Sequence, residues 1–405
     1  MIASTWTRIS SVAVAATVAV VLSGAARAEE PIKLGMISSL SGPIGDQGSE
    51  YANGAKLAAE AINKAGGIAA LGNRKLELDL LDDTSVPSVT RTLAIKLIST
   101  DKVPVILGPF ASGPCLAAAP VGEQMERALI CSAASDQVTK QGFRYVFNRA
   151  TLAGSFTAAG FAVVKGLSQT SGLDLRKVAV IYEDGAYGTS GNAQAEAAAK
   201  EYGIQLTDRI PFHTNTPDLS PVVSRAVASG AKALLLLTYT GDAVNIIRAV
   251  RTLKAPVLIL GSGAWNATMV KLGAPAEGMV ALADWNDDLP KPDVVKFREA
   301  YKQAFGFYPG TAGAWGWSDM YFMKDALEKA GSTDPKVLRD TIADLKVNAG
   351  QSVGIMPYDT YGFDSEGLAV NQIGRVIATQ LQGGKFVTIW PEKVATAKLD
   401  PATLK

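Results

Sequence analysis

Strand-like apolar runs alternate with amphipathic helix-like runs through most of this 405-residue chain, and no other feature restricts the fold as much. A chain that switches repeatedly between the two periodicities builds α/β layers around a mostly parallel sheet. The pattern predicts strands over 32–37, 76–81, 103–107 and 129–131. Helices over 51–64, 88–100 and 116–125 separate them, and Gly66-Gly67 gives the first helix a stop signal.

Around residues 145–151 the pattern pauses and then restarts. A helix over 152–167, a strand over 178–182, an Ala-rich helix over 190–202 and a strand over 205–210 open a second block. Further alternation follows to residue 283. From Pro292 onward three helices are expected, over 294–305, 312–330 and 335–345. Two strand-like runs, 374–382 and 385–390, are joined by Gln382-Gly383-Gly384 and read as a hairpin. Interruptions near Asn148-Arg149, Asp284-Trp285 and Pro357-Tyr358 divide blocks that belong to alternate lobes.

The N-terminus bears on compartment. Arg8 precedes an apolar run from Ile9 to Leu22, and Ala26-Arg27-Ala28 fits the small-x-small pattern of a cleaved export signal. Residues 1–28 are therefore expected to be a signal peptide cut after Ala28, leaving a periplasmic protein that starts at Glu29. The apolar run is shorter than the roughly 20 residues a spanning helix needs. Lys and Arg number 39 against 38 Asp and Glu, and this near-neutral balance argues against a nucleic-acid partner. Cys115 and Cys131 are the only cysteines. In an oxidising compartment the pair is open to two states, a bridge or two buried thiols.

Signals for catalysis are sparse. The one histidine, His213, has no motif around it and reads as a solvated loop residue. The chain lacks a nucleophile elbow, a zinc-protease motif, a phosphate loop and a dinucleotide fingerprint. Two Cys and one His cannot fill a tetrahedral metal site. Asp82-Asp83 sit side by side on a strand, where neighbours point to opposite faces, so they read as a polar strand end and not as an acid/base pair. No catalytic residue, no cofactor and no metal are assigned, and an enzyme is not expected.

Two loops stand out instead. Residues 108–113 and 132–135 each follow a buried-looking strand, lead toward a helix and offer small residues and hydroxyls. At the carboxyl ends of parallel strands such loops form a ligand crevice, and helix N-termini there favour an anionic group.

The order of several short motifs carries a family resemblance over nearly the whole chain after the export segment. Ser41-Gly42-Pro43, Asn53-Gly54, Ile62-Asn63 with Gly66-Gly67-Ile68, Asp82-Asp83, Gly108-Pro109, Ala133-Ala134-Ser135, Tyr187-Gly188 and Ala330-Gly331-Ser332 occur in sequence. Together they resemble the bacterial periplasmic binding proteins for branched-chain amino acids. The resemblance implies an α/β fold of two βαβ lobes with mostly parallel sheets, joined by three crossing strands and closing on a ligand, the type I periplasmic binding fold. The expected lobes are 29–148 plus 285–355 and 149–284 plus 356–405. The implied function is a receptor for a small amino acid or related carboxylate, acting as a monomer with an inner-membrane ABC permease and its ATPase. A ligand-sensing regulator with the same fold is the alternative of another class.

By the same resemblance Ser112 and Ser135 hold the ligand carboxylate, helped by backbone N–H groups near Ala133. Tyr187 and Tyr239 cover the ligand from the second lobe, and Gln47 takes a rim position that is aromatic in leucine binders. Phe110, Trp265 and Trp285 are added from their positions at strand ends. One departure stands out: Gly263 occupies the position where leucine-type binders carry an acidic partner for the ligand ammonium. Either Asp184 or Asp284 replaces that partner, or the ligand is an amine-free aromatic or aliphatic carboxylate.

Overall fold

The computed structural model describes residues 1–2, 30–370 and 375–401. The expected export segment and its cleavage point lie outside the described residues. The first block forms a five-stranded sheet from β1 (Ile32–Ser38), β2 (Leu76–Asp82), β3 (Val105–Phe110), β4 (Ala128–Ser132) and β5 (Val146–Asn148), in the order β2-β1-β3-β4-β5. Every pairing in it is parallel. Helices α1 (Gly45–Lys64), α2 (Pro87–Ser99) and α3 (Ser112–Gln124) make the crossovers. Helix α1 begins six residues ahead of expectation. Its first turns, Gly45 to Glu50, are glycine and polar residues with no apolar period, and Asp46 and Glu50 take partners from distant chain at Thr268 and Gly310.

After α4 (Ala153–Ser171) the second sheet is built from β6 (Lys177–Glu183), β7 (Gln205–Phe212), β8 (Ala233–Leu237), β9 (Leu258–Ser262) and β10 (Val280–Ala283). These pair in parallel in the order β7-β6-β8-β9-β10, the same strand order as the first sheet. Helices α5 (Ala186–Ala193), α6 (Ala195–Tyr202), α7 (Ser220–Ala228), α8 (Thr240–Thr252) and α9 (Asn266–Leu272) surround it. The single helix expected over 190–202 is thus two helices, broken at Gln194.

Three C-terminal helices, α10 (Pro292–Phe305), α11 (Thr311–Ala330) and α12 (Pro335–Asp344), return to the first sheet and share its core. Glycines allow the closest part of that return. A Cβ on Gly54 would meet Gly313 O at 1.9 Å, and one on Gly316 would meet Tyr51 O at 1.9 Å, so α1 and α11 touch backbone to backbone. A short helix α13 (Gln351–Gly354) and the antiparallel pair β11 (Lys346–Val347) and β12 (Tyr361–Gly362) stay on this side, and Leu368 bridges to Asn148. The third interruption expected at Pro357-Tyr358 is therefore a turn within the first layer. Ala369 still pairs with Phe363 on this side, and β13 (Ile377–Gln382) and β14 (Lys385–Trp390) add an antiparallel hairpin beside β10 in the second sheet. Among the described residues no helix is long and apolar enough to cross a membrane.

The crossings enclose buried charge. Arg149, Asp284 and Arg375, one from each crossing, are at most 2% exposed. Arg149 Nε pairs with Asp319 at 3.0 Å, and Asp319 also accepts the hydroxyls of Tyr51 at 2.7 Å and Tyr361 at 2.8 Å. A buried charge is tolerated when its lone pairs are met in this way. Cys115 and Cys131 are bridged, with Cα atoms 6.0 Å apart, which resolves the alternative left open by the sequence.

Candidate functional site

A cavity lies where the carboxyl ends of both sheets face each other, beside the points at which strand order reverses. From the first sheet's side come Gln47, Phe110, Ala111, Ser112, Ser132, Ala134 and Trp315. The first crossing contributes Ala150 and Thr151, and the second sheet's side contributes Phe156, Tyr187, Thr238, Tyr239, Ser262 and Ala264. The cavity measures about 50 Å³. One water needs roughly 10–15 Å³, so this space suits a compact solute and not a peptide.

Helix ends supply much of its electrostatics, with one carboxylate, Glu183, close to the cavity tyrosines. Gln47, Ser112, Phe156 and Tyr187 lie in the first turns of α1, α3, α4 and α5, and Tyr239 immediately precedes α8. Five helices thus begin beside the cavity, where helix N-termini favour negative charge, and that of α5 is already capped by the Glu183 carboxylate through the Gly188 N–H. None of the lining residues is charged. The balance favours an anion.

Hydroxyl groups add direction. Ser112 Oγ accepts the Ser135 N–H at 3.0 Å. Across the cavity, the N–H and hydroxyl of Ser112 face the Tyr239 oxygen and act to lower its pKa. Burial, with the nearby Glu183 carboxylate and Tyr187, pushes the Tyr239 pKa well up, so the phenol keeps its proton and has it free to donate. Tyr187 is shifted the same way by burial and by Glu183, and the two rings stack at a tilt with centroids 5.5 Å apart. Three lining polar atoms have no hydrogen-bond partner within the protein: Ser132 Oγ, Gln47 Oε1 and Thr238 Oγ1.

Of the residues expected from sequence, the structure brings Gln47, Phe110, Ser112, Tyr187 and Tyr239 together around the cavity. Ala133 and Ser135 stand behind it. The Ala133 N–H goes to Asn148 Oδ1 at 3.1 Å, and Ser135 Oγ is bonded to Ser190 Oγ at 2.8 Å. Trp265 and Trp285 are corrections to the expected lining. Trp265 lies beneath β9, where a Cβ on Gly261 would meet its ring at 2.0 Å. Trp285 packs edge-on against Phe297 and donates its indole N–H to Ile355 O at 2.9 Å. Both rings fill core volume, the commonest destination for a large apolar side chain.

Sequence reading missed Ser132, Thr151, Phe156, Thr238, Ser262, Ala264 and Trp315 as individual lining residues. Ser132 and Ser262 end strands and Thr238 follows one, so the carboxyl-end rule applied to every parallel strand would have found these three. Trp315 has no local signal, because it arrives from α11 only through the packing of that helix on α1.

The two acids considered as replacements at Gly263 do not line the cavity. Asp184 points outward and binds His213 Nδ1 at 3.0 Å. Asp284 is fully buried, accepting from Trp315 Nε1 at 2.7 Å and from the Thr151 hydroxyl at 3.2 Å. At Gly263 itself a Cβ would meet the Ala283 Cβ at 2.2 Å and its Cα at 2.9 Å. The backbone there has no room for an acidic side chain.

Comparison with known proteins agrees with this architecture. The family model for periplasmic binding protein matches residues 31–382. The Leu/Ile/Val-binding protein homolog 7 of Brucella melitensis biotype 1 is 28% identical over 400 residues, covering 95% of this chain and 98% of that protein. The leucine binding protein LivK of Thermotoga maritima MSB8 superposes with a TM-score of 0.76 at 24% identity, covering 88% of this chain and 97% of that one. A solute binding protein of an ABC transporter from Rhodopseudomonas palustris BisB5, in complex with 3,4-dihydroxy benzoic acid, gives 0.75 at 23% identity, with 88% and 95% covered. A match running from β1 to β13 takes in both sheets and the cavity between them, and the chain belongs to the periplasmic binding protein family, with the type I architecture of its solute receptors.

Proposed function

We propose that this protein binds a small amine-free carboxylate with an aromatic body and presents it to an ABC permease and its ATPase. One observation carries the reading: five helix N-termini converge on a cavity that no acidic side chain lines. An anion is stabilised there. An ammonium, buried without a carboxylate, would cost several kcal/mol. Phe110 and Trp315 on one side, and Phe156, Tyr187 and Tyr239 on the other, offer apolar walls to a planar ring. Ser132 Oγ and the Tyr239 hydroxyl are the donors for the carboxylate.

The binding unit is taken as two lobes, 29–148 plus 285–369 and 149–284 plus 370–405, hinged at the three crossings. The exported, monomeric form starting at Glu29 is the working species. The Brucella relative's name favours a second reading, a branched-chain amino acid. Calorimetric titration of refolded, ligand-stripped protein separates the two. Benzoate-type acids should bind and leucine, isoleucine and valine should not; binding of the amino acids alone overturns the proposal.

A further inference from the structure

One face of α9, on the second lobe, lies along the start of α1 on the first. Thr268 and Lys271 are three positions apart in α9 and share that face. The Thr268 hydroxyl donates to Asp46 Oδ2 at 2.8 Å. The Lys271 ammonium sits 4.9 Å from the centre of the Phe307 ring, in the loop that joins α10 to α11. Its charge also acts on the Glu50 carboxylate, one turn beyond Asp46. Asp46 directly precedes Gln47, which lines the cavity, and Thr268 follows the lining residue Ala264 by one helical turn. Asp46, Thr268, Lys271 and Phe307 themselves stand outside that lining.

We infer that these four residues form a latch, which holds the second lobe against the first beside the cavity without touching the solute and so sets how long the protein stays closed. Their groups meet one another across the seam, so this closing energy needs no ligand. The inference rests on the two hinged lobes proposed above and not on the identity of the solute. A closed state favoured beforehand leaves a ligand less of the equilibrium to shift, which raises apparent affinity. The polar opening of α1 then has a use, as the half of the seam that α9 meets. Both contacts reach solvent and each is modest, but lost together they should change the ratio of open to closed protein about tenfold. All four are positioning residues, since they act on the lobes and not on the solute.

Distances between spin labels on the two lobes test this in the mature, ligand-stripped protein. Cys115 and Cys131 are bridged, so introduced cysteines supply the only free thiols. Val86→Cys on the first lobe and Leu253→Cys on the second replace exposed residues and carry the labels. Adding Thr268→Val with Lys271→Met should raise the open-to-closed ratio about tenfold, at an unchanged melting temperature that shows the fold is intact. Thr268→Ser, which keeps the hydroxyl, should match the parent. An identical distribution in parent and double variant, where saturating benzoate or leucine still moves the labels, overturns the latch and leaves the hinged lobes standing. Distances that neither the variants nor either solute moves overturn both.

Discussion

Asp284 Oδ1 accepts the indole N–H of Trp315 at 2.7 Å, with Asp284 fully buried at the second crossing. The bond takes the ring's only polar group away from the cavity, so Trp315 meets a ligand as hydrocarbon. The Arg149 guanidinium lies over the ring at 4.7 Å from its centre, and the other carboxylate oxygen of Asp284 holds the Thr151 hydroxyl. Two lining residues are thus fixed by one carboxylate that never touches the cavity. In Asp284→Ala both donors lose their acceptor, and each unmet buried group costs about 1–3 kcal/mol. Urea unfolding should register a loss of roughly 2–6 kcal/mol; a change under about 1 kcal/mol would mean that the bond is immaterial.

Tyr239 faces Ser112 across the cavity, and in the proposed reading its phenol, kept protonated by burial, donates to the ligand. Tyr239→Phe preserves the ring and removes that hydroxyl. Affinity for the preferred carboxylate should fall roughly tenfold, the worth of one ordinary hydrogen bond, as read by titration calorimetry. An unchanged affinity would remove Tyr239 from the carboxylate site.

At Gly263 the obstacle is steric. Introducing Asp drives a Cβ against Ala283 on β10, and overpacking of this kind costs about 1–3 kcal/mol. Gly263→Asp should lower the melting temperature and confer no leucine binding. Leucine binding by a stable Gly263→Asp variant would show that β10 yields.

Glu50 gives the stability a pH dependence. Its carboxyl is pushed up to about 7 from 4.5, chiefly by burial, against the N–H groups of Gly313 and Gly310 that hold it down. Both N–H groups bond the same oxygen, Oε1, at 3.0 and 2.6 Å, so a proton on Oε2 leaves them in place. The native state therefore holds this proton more tightly than the unfolded chain does. The contribution is complete below pH 4.5, declines as pH rises through 7 and is then gone, a swing of roughly 3 kcal/mol. Glu50→Gln retains an oxygen for both N–H groups. Its stability relative to the parent should rise between pH 5 and pH 7, and a flat difference would contradict the assignment.

The Cys115–Cys131 bridge spans 16 residues and joins the first turn of α3 to β4. A loop of that length is worth about 3 kcal/mol on the chain-entropy model. The double Cys→Ala variant should unfold at lower urea by that amount, and a reductant should then have no further effect on it.

Much of the α/β layering was legible because it is local. Strands such as β1 and β14 match their predicted limits to within a residue, since apolar runs carry their own signal. The cradle loops were legible for the same reason, as turn residues after apolar strands. The early start of α1 was not. Gln47 and Glu50 look like surface residues, and they are buried because one meets the cavity and the other caps the start of α11 from 260 positions away in the chain. The break at Gln194 was equally hidden in an Ala-rich stretch whose propensity continues without pause.

The sequence by itself determined the two α/β blocks, the scarcity of catalytic groups and the hydroxyl-bearing strand ends, since periodicity, composition and turn chemistry are written residue by residue. Only the tertiary structure decided which aromatic rings face the cavity, that Asp284 and Asp184 are not ligand partners and that Gly263 has no space for a side chain. Those outcomes depend on contacts between separate segments of the chain, such as Gly263 against Ala283, Asp184 against His213 and Asp284 against Trp315. Trp285 and Trp315 are the same residue type 30 positions apart, and packing alone sent one into the core and the other to the cavity wall.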